Sequence, residues 1–116
     1  MNEKLRKIIK HYGIKKQLKY FQSEIFELNE AIIQFEDDKT NPISMIVDVC
    51  SKIIAPIQGT TPPDRTAHIK EEIADVTVML KQLQLYYNIS SKDIREVMNQ
   101  KIDRQLKRIA EEDKNV

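Results

Sequence analysis

The chain has 116 residues, of which 19 are basic and 18 acidic, so its formal net charge is only +1. This length favours a single domain over residues 1–116, and the balance of charge excludes a global basic field for nucleic acid or an anionic membrane. Two glycines, no tryptophan and 32% charged residues favour an all-α fold.

The sequence also predicts a cytoplasmic location. Charged residues run through the start of the chain, so it lacks the apolar core of a signal peptide. No apolar run approaches the roughly 18 residues that a membrane-spanning helix needs. The single cysteine, Cys50, cannot form an internal disulfide, which agrees with a reducing compartment.

Helical periodicity predicts the first two elements. A short helix over residues 3–12 is expected to have Asn2 as its cap and to end at Gly13. A much longer helix follows from about residue 14 to 38. Its apolar residues alternate spacings of three and four, the pattern of a helix that packs along one side, and they are Leu18, Phe21, Ile25, Leu28, Ile32 and Phe35.

In the middle of the chain, the sequence predicts a shorter helix followed by a loop. Asn41 is expected to cap an amphipathic helix over residues 43–54, with Pro42 in its first turn. This helix should stop near Pro56. Glycine, paired prolines and hydroxyl residues make residues 58–65 the clearest loop in the chain.

Two further helices complete the prediction. The first starts at about Thr66 and repeats the alternating pattern with Ile69, Ile73, Val76, Leu80, Leu83 and Tyr87. Ser90 or Ser91 then caps a last helix over roughly residues 92–111. We therefore expect two long antiparallel helices plus shorter ones.

Two pairs of acidic residues occupy matched places on the long helices. Glu24 and Glu27 lie beside the apolar stripe of the first, and Glu72 and Asp75 lie beside that of the second. If the helices pack antiparallel, the pairs meet, and two charges 4 Å apart repel by about 4 kcal/mol at an effective dielectric near 20. Mg²⁺, or Mn²⁺ as a substitute, would neutralise them, because carboxylate oxygens are its preferred ligands. Raised carboxylate pKa values are the alternative, but they give a weaker reason for four such groups at matched positions. Either pair alone would be interpreted as ordinary solvated surface. The matched positions of the two pairs on the two helices favour the metal site.

These motifs resemble those of the MazG-like all-α nucleoside triphosphate pyrophosphohydrolases. The likeness is clearest over residues 14–38 and 66–110, and EEIADV in the second long helix is its most specific piece. The resemblance implies a helical bundle that binds Mg²⁺ through the four acidic residues and cleaves a nucleoside triphosphate between the α and β phosphates. It also implies a homo-oligomer, a dimer or tetramer, in which neighbouring subunits complete the bundle, and a role in clearing the nucleotide pool.

The chain departs from the family pattern at one position. The family's first motif often reads EExxE, and here its leading position is Ser23. A hydroxyl cannot replace a carboxylate as ligand or base with equal strength, so the number of ions and the general base stay open. Glu27 or Glu71 would accept the proton from the attacking water. The insert from residue 40 to 65 is expected to form a lid or a subunit contact.

The last helix offers basic groups for the substrate. Lys101, Arg104 and Arg108 follow one another at spacings of three and four. Lys101 and Arg104 are the candidates for binding phosphate oxygens, since an arginine can hold them bidentately. For Arg108 a solvated ridge is the preferred interpretation.

Three other functions remain open from the sequence. One is a degenerate member of the resembling family that binds nucleotides without hydrolysing them, for which Ser23 is the only hint. A phosphoribosyl-ATP pyrophosphohydrolase would share the helical fold and the type of reaction. A non-catalytic helical interaction module would use the same apolar stripes to bind a partner helix. The base and sugar preference of an enzyme cannot be read from these motifs, because a base pocket is assembled from distant segments.

Overall fold

The structure is a computed structural model that describes residues 1–61 and 64–115. It contains the α-helices α1 (Asn2–Tyr12), α2 (Ile14–Thr40), α3 (Pro42–Ile57), α4 (Ala67–Tyr86) and α5 (Ser91–Lys114). The described residues include no β-strand, which confirms the all-α prediction. Among these helices none is long and apolar enough to cross a bilayer.

Local signals in the sequence set most helix ends. Gly13 separates α1 from α2 with a φ of 81°, a left-handed conformation that glycine adopts without steric cost. The Asn41 side chain caps α3 and accepts a hydrogen bond from the backbone N–H of Ile43 at 2.9 Å. Ser90 caps α5 and accepts from the N–H of Asp93 at 3.1 Å. These three predictions are confirmed.

Asn2 is not the cap of α1. The backbone N–H of Leu5 bonds to the carbonyl of Met1 at 3.2 Å, so the helix begins one residue earlier and Asn2 is its first helical residue. No side-chain hydrogen bond caps this end.

Pro56 does not end α3, which continues through it to Ile57. A proline removes its own backbone N–H, and two residues later the N–H of Gln58 still reaches the carbonyl of Ile54 at 3.0 Å. In the following loop, prediction and structure agree for residues 58–61 and 64–65. Pro62 and Pro63 lie outside the described residues.

The structure has three long helices where the sequence predicts two. The last helix extends to Lys114, and its 24 residues exceed the 20 of α4. Its charged final turns follow the same helical period as the rest, and Lys114 in the last turn suits the negative end of the helix dipole.

The helices α2 and α4 pack against each other in antiparallel orientation. Near the start of α2, the buried Gln17 amide donates a hydrogen bond to the buried Gln82 side chain near the end of α4. One heptad further along α2, Glu24 faces Asp75. Seven residues toward the C-terminus of α2 thus correspond to seven residues toward the N-terminus of α4, so the middle turns of the two helices are in contact.

The side of α2 that faces α4 differs from the prediction. Leu18, Ile25 and Ile32 were expected in the contact, yet each remains 39% exposed. The residues one position earlier, Gln17, Glu24 and Ala31, take their place, together with the partly buried remainder of the stripe, Phe21, Leu28 and Phe35. The same shift occurs on α4, where Glu72 and Met79 are buried while Ile73 and Leu80 are exposed.

The other helices add to this pair unequally. Helix α1 packs on α4 and α2 and buries Leu5. Helix α3 packs on α2 and buries only Ala55. An ion pair ties α3 to the segment before α4, because the Arg65 guanidinium lies 3.1 Å from the Asp48 carboxylate.

Helix α5 buries none of its residues and does not pack along α2 or α4. The radius of gyration is 20.0 Å, against about 13 Å for a compact domain of this length. The chain exposes 9809 Å², about 3,200 Å² more than a compact protein of its size. One copy therefore leaves a large apolar area uncovered.

The buried glutamine pair yields a stability prediction. Gln82→Leu should lower the free energy of unfolding by about 1–3 kcal/mol, because it leaves the Gln17 amide buried without its partner. The double variant Gln17→Leu/Gln82→Leu should recover part of this loss. Urea unfolding at fixed protein concentration measures both, with the exposed Gln22→Leu on α2 as control. Strictly additive losses in the double variant would contradict the coupling.

Candidate metal centre

Three carboxylates meet between α2 and α4. Glu24 and Glu27 are three residues apart and therefore share a face of α2, while the antiparallel packing brings Glu72 of α4 opposite them. One oxygen from each lies within 4.8 Å of the others. Glu72 is buried at 8% exposure, Glu24 is partly buried and Glu27 is exposed. The group is thus shielded from solvent at Glu72 and open to solvent at Glu27.

Asp75 adds a fourth carboxylate next to this group. Burial raises the pKa of Glu24, and the negative charges of Asp75, Glu27 and Glu72 raise it further. The Asp75 carboxyl group lies close enough to share a proton with Glu24, which acts in the same direction. All four residues that the sequence assigned to a metal site therefore lie near one another.

Two oxygens of this group lack hydrogen-bond partners. Glu24 Oε2 and Glu72 Oε2 are both shielded from solvent, and no donor among the described residues reaches either of them. A buried carboxylate oxygen without a donor is costly, since it has lost its hydration and gained nothing in return. A proton or a cation would remove that cost. Oxygen-only donors of this kind fit a hard divalent cation such as Mg²⁺ or Mn²⁺.

His68 and Ser23 flank the group without joining it. His68 lies one turn before Glu72, and its Nδ1 is 3.9 Å from Glu72 Oε1, so it would pair with that carboxylate when protonated. Its own side chain is largely exposed. The Ser23 hydroxyl donates to the carbonyl of Lys19 at 3.3 Å and so points back along α2. Ser23 therefore adds no oxygen to the carboxylate group.

Three predicted residues are not brought to the carboxylates within one chain. Glu71 is exposed and precedes Glu72 on α4, so its side chain points about 100° away around the helix. Lys101 and Arg104 are exposed on α5, which packs along neither α2 nor α4.

A cavity of about 630 Å³ is bordered by the end of α2, by residues 44–52 of α3, by residues 64–66 and by the start of α4. We call it the α2–α3–α4 cavity. None of the four carboxylates lines it, but His68, which does, lies 3.9 Å from Glu72 Oε1. Gln34 and Asp38 of α2 line it, and the sequence analysis did not assign either to the site. A signal was present, because residues 24, 27, 31, 34 and 38 follow spacings of three and four along a single helix face.

The raised pKa of Glu24 yields a prediction for the metal-free protein. The contribution of Glu24 to stability is fully present below its ordinary pKa of 4.5 and is lost as pH rises through the higher folded-state value. Glu24→Gln cannot ionise, so its melting temperature in EDTA should exceed that of the wild type by a few degrees at pH 7.5. The difference should shrink toward pH 4.

Thermal unfolding between pH 4 and pH 8 checks this expectation, with Glu30→Gln on the exposed side of the same helix as matched control. A Glu24→Gln protein that melts at or below the wild-type temperature at pH 7.5 would show that no repulsion is relieved.

Comparison of the chain with models of protein families, with curated proteins and with solved structures finds no match. The likeness to the MazG-like enzymes therefore remains a prediction from the acidic motifs, and the functional argument depends on the geometry of the carboxylates.

Proposed function

We propose that this chain is a Mg²⁺-dependent nucleoside triphosphate pyrophosphohydrolase that releases pyrophosphate and a nucleoside monophosphate. The observation that carries the proposal is the convergence of Glu24, Glu27 and Glu72, two of which have a buried oxygen without a donor. A seam between two helices is most stable when apolar. Carboxylates at the centre of the contact between α2 and α4 therefore favour a bound cation that neutralises their charge.

The composition of the group favours phosphate chemistry. Mg²⁺ keeps part of its coordination for water and substrate phosphates, and when bound it would supply positive charge for the phosphate oxygens and lower the pKa of an attacking water. Glu24 and Glu72 would hold the ion from the buried side, with Asp75 beside Glu24. The exposed side of the group is left for the triphosphate.

Glu27 is better placed than Glu71 to accept a proton from the attacking water. Its carboxylate belongs to the group and is exposed, so it can reach both the ion and solvent. Glu71 is directed away from the group by its position on α4. Glu71 would take part only if a neighbouring subunit altered this arrangement.

A homo-oligomer would complete the site. The outward stripe of α2, formed by Leu18, Ile25 and Ile32, is half-exposed, and the excess exposed area of about 3,200 Å² is of the size that obligate subunit interfaces bury. A second copy is the natural cover for these faces. Its α5 could then bring Lys101 and Arg104 to the phosphates that one chain's own α5 does not reach.

The second candidate is a non-catalytic helical interaction module, and the exposed apolar faces favour it. Helix α3 leaves Ile43 73% and Ile46 63% exposed, as a surface for a partner helix would. This function gives no reason for the buried carboxylates. It predicts that Mg²⁺ does not change the melting temperature.

Self-association provides one test. Size-exclusion chromatography with light scattering should give a mass of two or four chains. X-ray scattering should detect no monomer, for which the structure gives a radius of gyration of 20.0 Å. Ile25→Glu, which places a charge on the outward stripe of α2, should shift the protein toward monomer. A monomeric wild type at micromolar concentration would remove this part of the proposal.

The reaction itself provides the decisive test. Purified protein with Mg²⁺ and a panel of canonical and modified nucleoside triphosphates, together with phosphoribosyl-ATP, should release pyrophosphate and not orthophosphate. Glu72→Gln and Asp75→Asn should each lower turnover at least about 100-fold while keeping the helical circular-dichroism signal, because each removes a negative charge from the carboxylates that would hold the ion.

Glu30→Gln, which removes an exposed charge from α2, should leave turnover unchanged. Mg²⁺ should raise the melting temperature of the wild type and not that of Glu72→Gln. Turnover near wild type in both carboxylate variants would overturn the proposed function.

A further inference from the structure

The α2–α3–α4 cavity continues the face of α2 that carries the carboxylates. Ala31 lies one turn beyond Glu27 on α2 and borders the cavity, and Gln34 and Asp38 follow on the next two turns. At 1.5 Å per residue, Asp38 is about 16 Å along the helix from Glu27. A substrate whose phosphates lie at the carboxylates would therefore have its nucleoside directed into this cavity.

A small side chain lies between the two regions. Ala31 is buried in the seam and presents only a methyl group. The antiparallel packing of α2 and α4 brings His68, another lining residue, to this level of α4. Beyond it, Met45 and Ile69 contribute apolar surface, so the cavity combines apolar walls with a few polar groups, as small-molecule sites usually do.

The basic side chains around the cavity already have acidic partners. Arg65 and Lys52 both pair with Asp48, at 3.1 Å and 3.4 Å, and these hydrogen bonds lower the pKa of Asp48 although burial alone would raise it. Lys39 lies 3.4 Å from the Glu36 carboxylate. With its cations paired in this way, the cavity offers little to an anion and is suited to an uncharged group.

Asp38 differs from these charged neighbours. It is partly buried and lines the cavity, and no ion pair or side-chain hydrogen bond engages its carboxylate within residues 1–61 and 64–115. A carboxylate accepts hydrogen bonds and donates none, whereas the nearby Gln34 amide can do both. The cavity therefore presents an excess of acceptors to whatever enters it.

We propose that this cavity binds the base of the nucleotide and that Asp38 selects bases with an exocyclic amino group, namely cytosine, adenine and guanine, over uracil and thymine. The inference rests on the proposed function, which places the phosphates at the carboxylates. An amino group donates to the Asp38 carboxylate, as cytosine N4 does to aspartate in other recognition sites. The O4 carbonyl of uracil at the same position would face that carboxylate with its own lone pairs.

The test compares CTP with UTP, whose bases differ in the 4-amino against the 4-oxo group and in the proton that uracil carries on the adjacent N3. Wild-type protein with Mg²⁺ should hydrolyse CTP with a kcat/KM about tenfold or more above that for UTP. Asp38→Asn keeps the shape and adds an N–H₂ donor for O4, so it should lower the CTP/UTP ratio by about fivefold or more. Asp37→Asn, at the exposed neighbouring residue, is the matched control and should leave the ratio unchanged.

A CTP/UTP ratio that is the same in Asp38→Asn and wild type, while pyrophosphate is still released, would overturn the inference and leave the proposed function standing. If no triphosphate is hydrolysed, the cavity is tested by binding in EDTA. Cytidine should then shift the backbone NMR signals of Gln34 and Asp38, and uridine should shift them at least fivefold less at equal concentration. Equal shifts, or none with either nucleoside, would also overturn it.

Discussion

The contact between α2 and α4 depends on a balance between apolar packing and the repulsion of carboxylates placed inside it. Leu28 and Met79 bury apolar surface in this seam, and Glu24 and Glu72 lie between them with oxygens that no donor satisfies. Repulsion among such charges is large where water is excluded, because little solvent remains to screen it. The metal-free seam is thus less stable than an apolar one, a trade-off that is common where a site requires strained or uncompensated groups.

The same contact explains why the most hydrophobic stripe of α2 faces outward. A helix with a wide apolar side can pack against two neighbours, and α4 takes the edge of that side that carries Glu24. Leu18, Ile25 and Ile32 remain on the other edge, half-exposed. Helix α5 buries no residue and α3 packs only on α2, so much of the apolar surface of both helices stays exposed.

Local chemistry made much of the architecture predictable. Gly13, Asn41 and Ser90 act on the backbone within a few residues of themselves, so their effects on helix ends could be read directly. Asn2 and Pro56 were assigned wrongly, because the Leu5 N–H bonds to Met1 and starts α1 one residue earlier, and because the bond from Gln58 to Ile54 carries α3 past the proline. In the candidate site, the helical period already grouped Glu24 with Glu27 and Glu72 with Asp75, whereas Asp38 drew no notice among its charged neighbours.

By itself the sequence determined that the chain is helical, where most helices end, and which acidic residues share a helix face. Only the tertiary structure decided which edge of α2 meets α4, because that choice depends on competition among distant surfaces and not on the period of one helix. It also decided that Glu24 and Glu72 each bury an oxygen without a donor, and that α2, α3 and the start of α4 border an open cavity. Periodicity defines a face, but burial and its electrostatic cost arise only when a second helix removes water from that face.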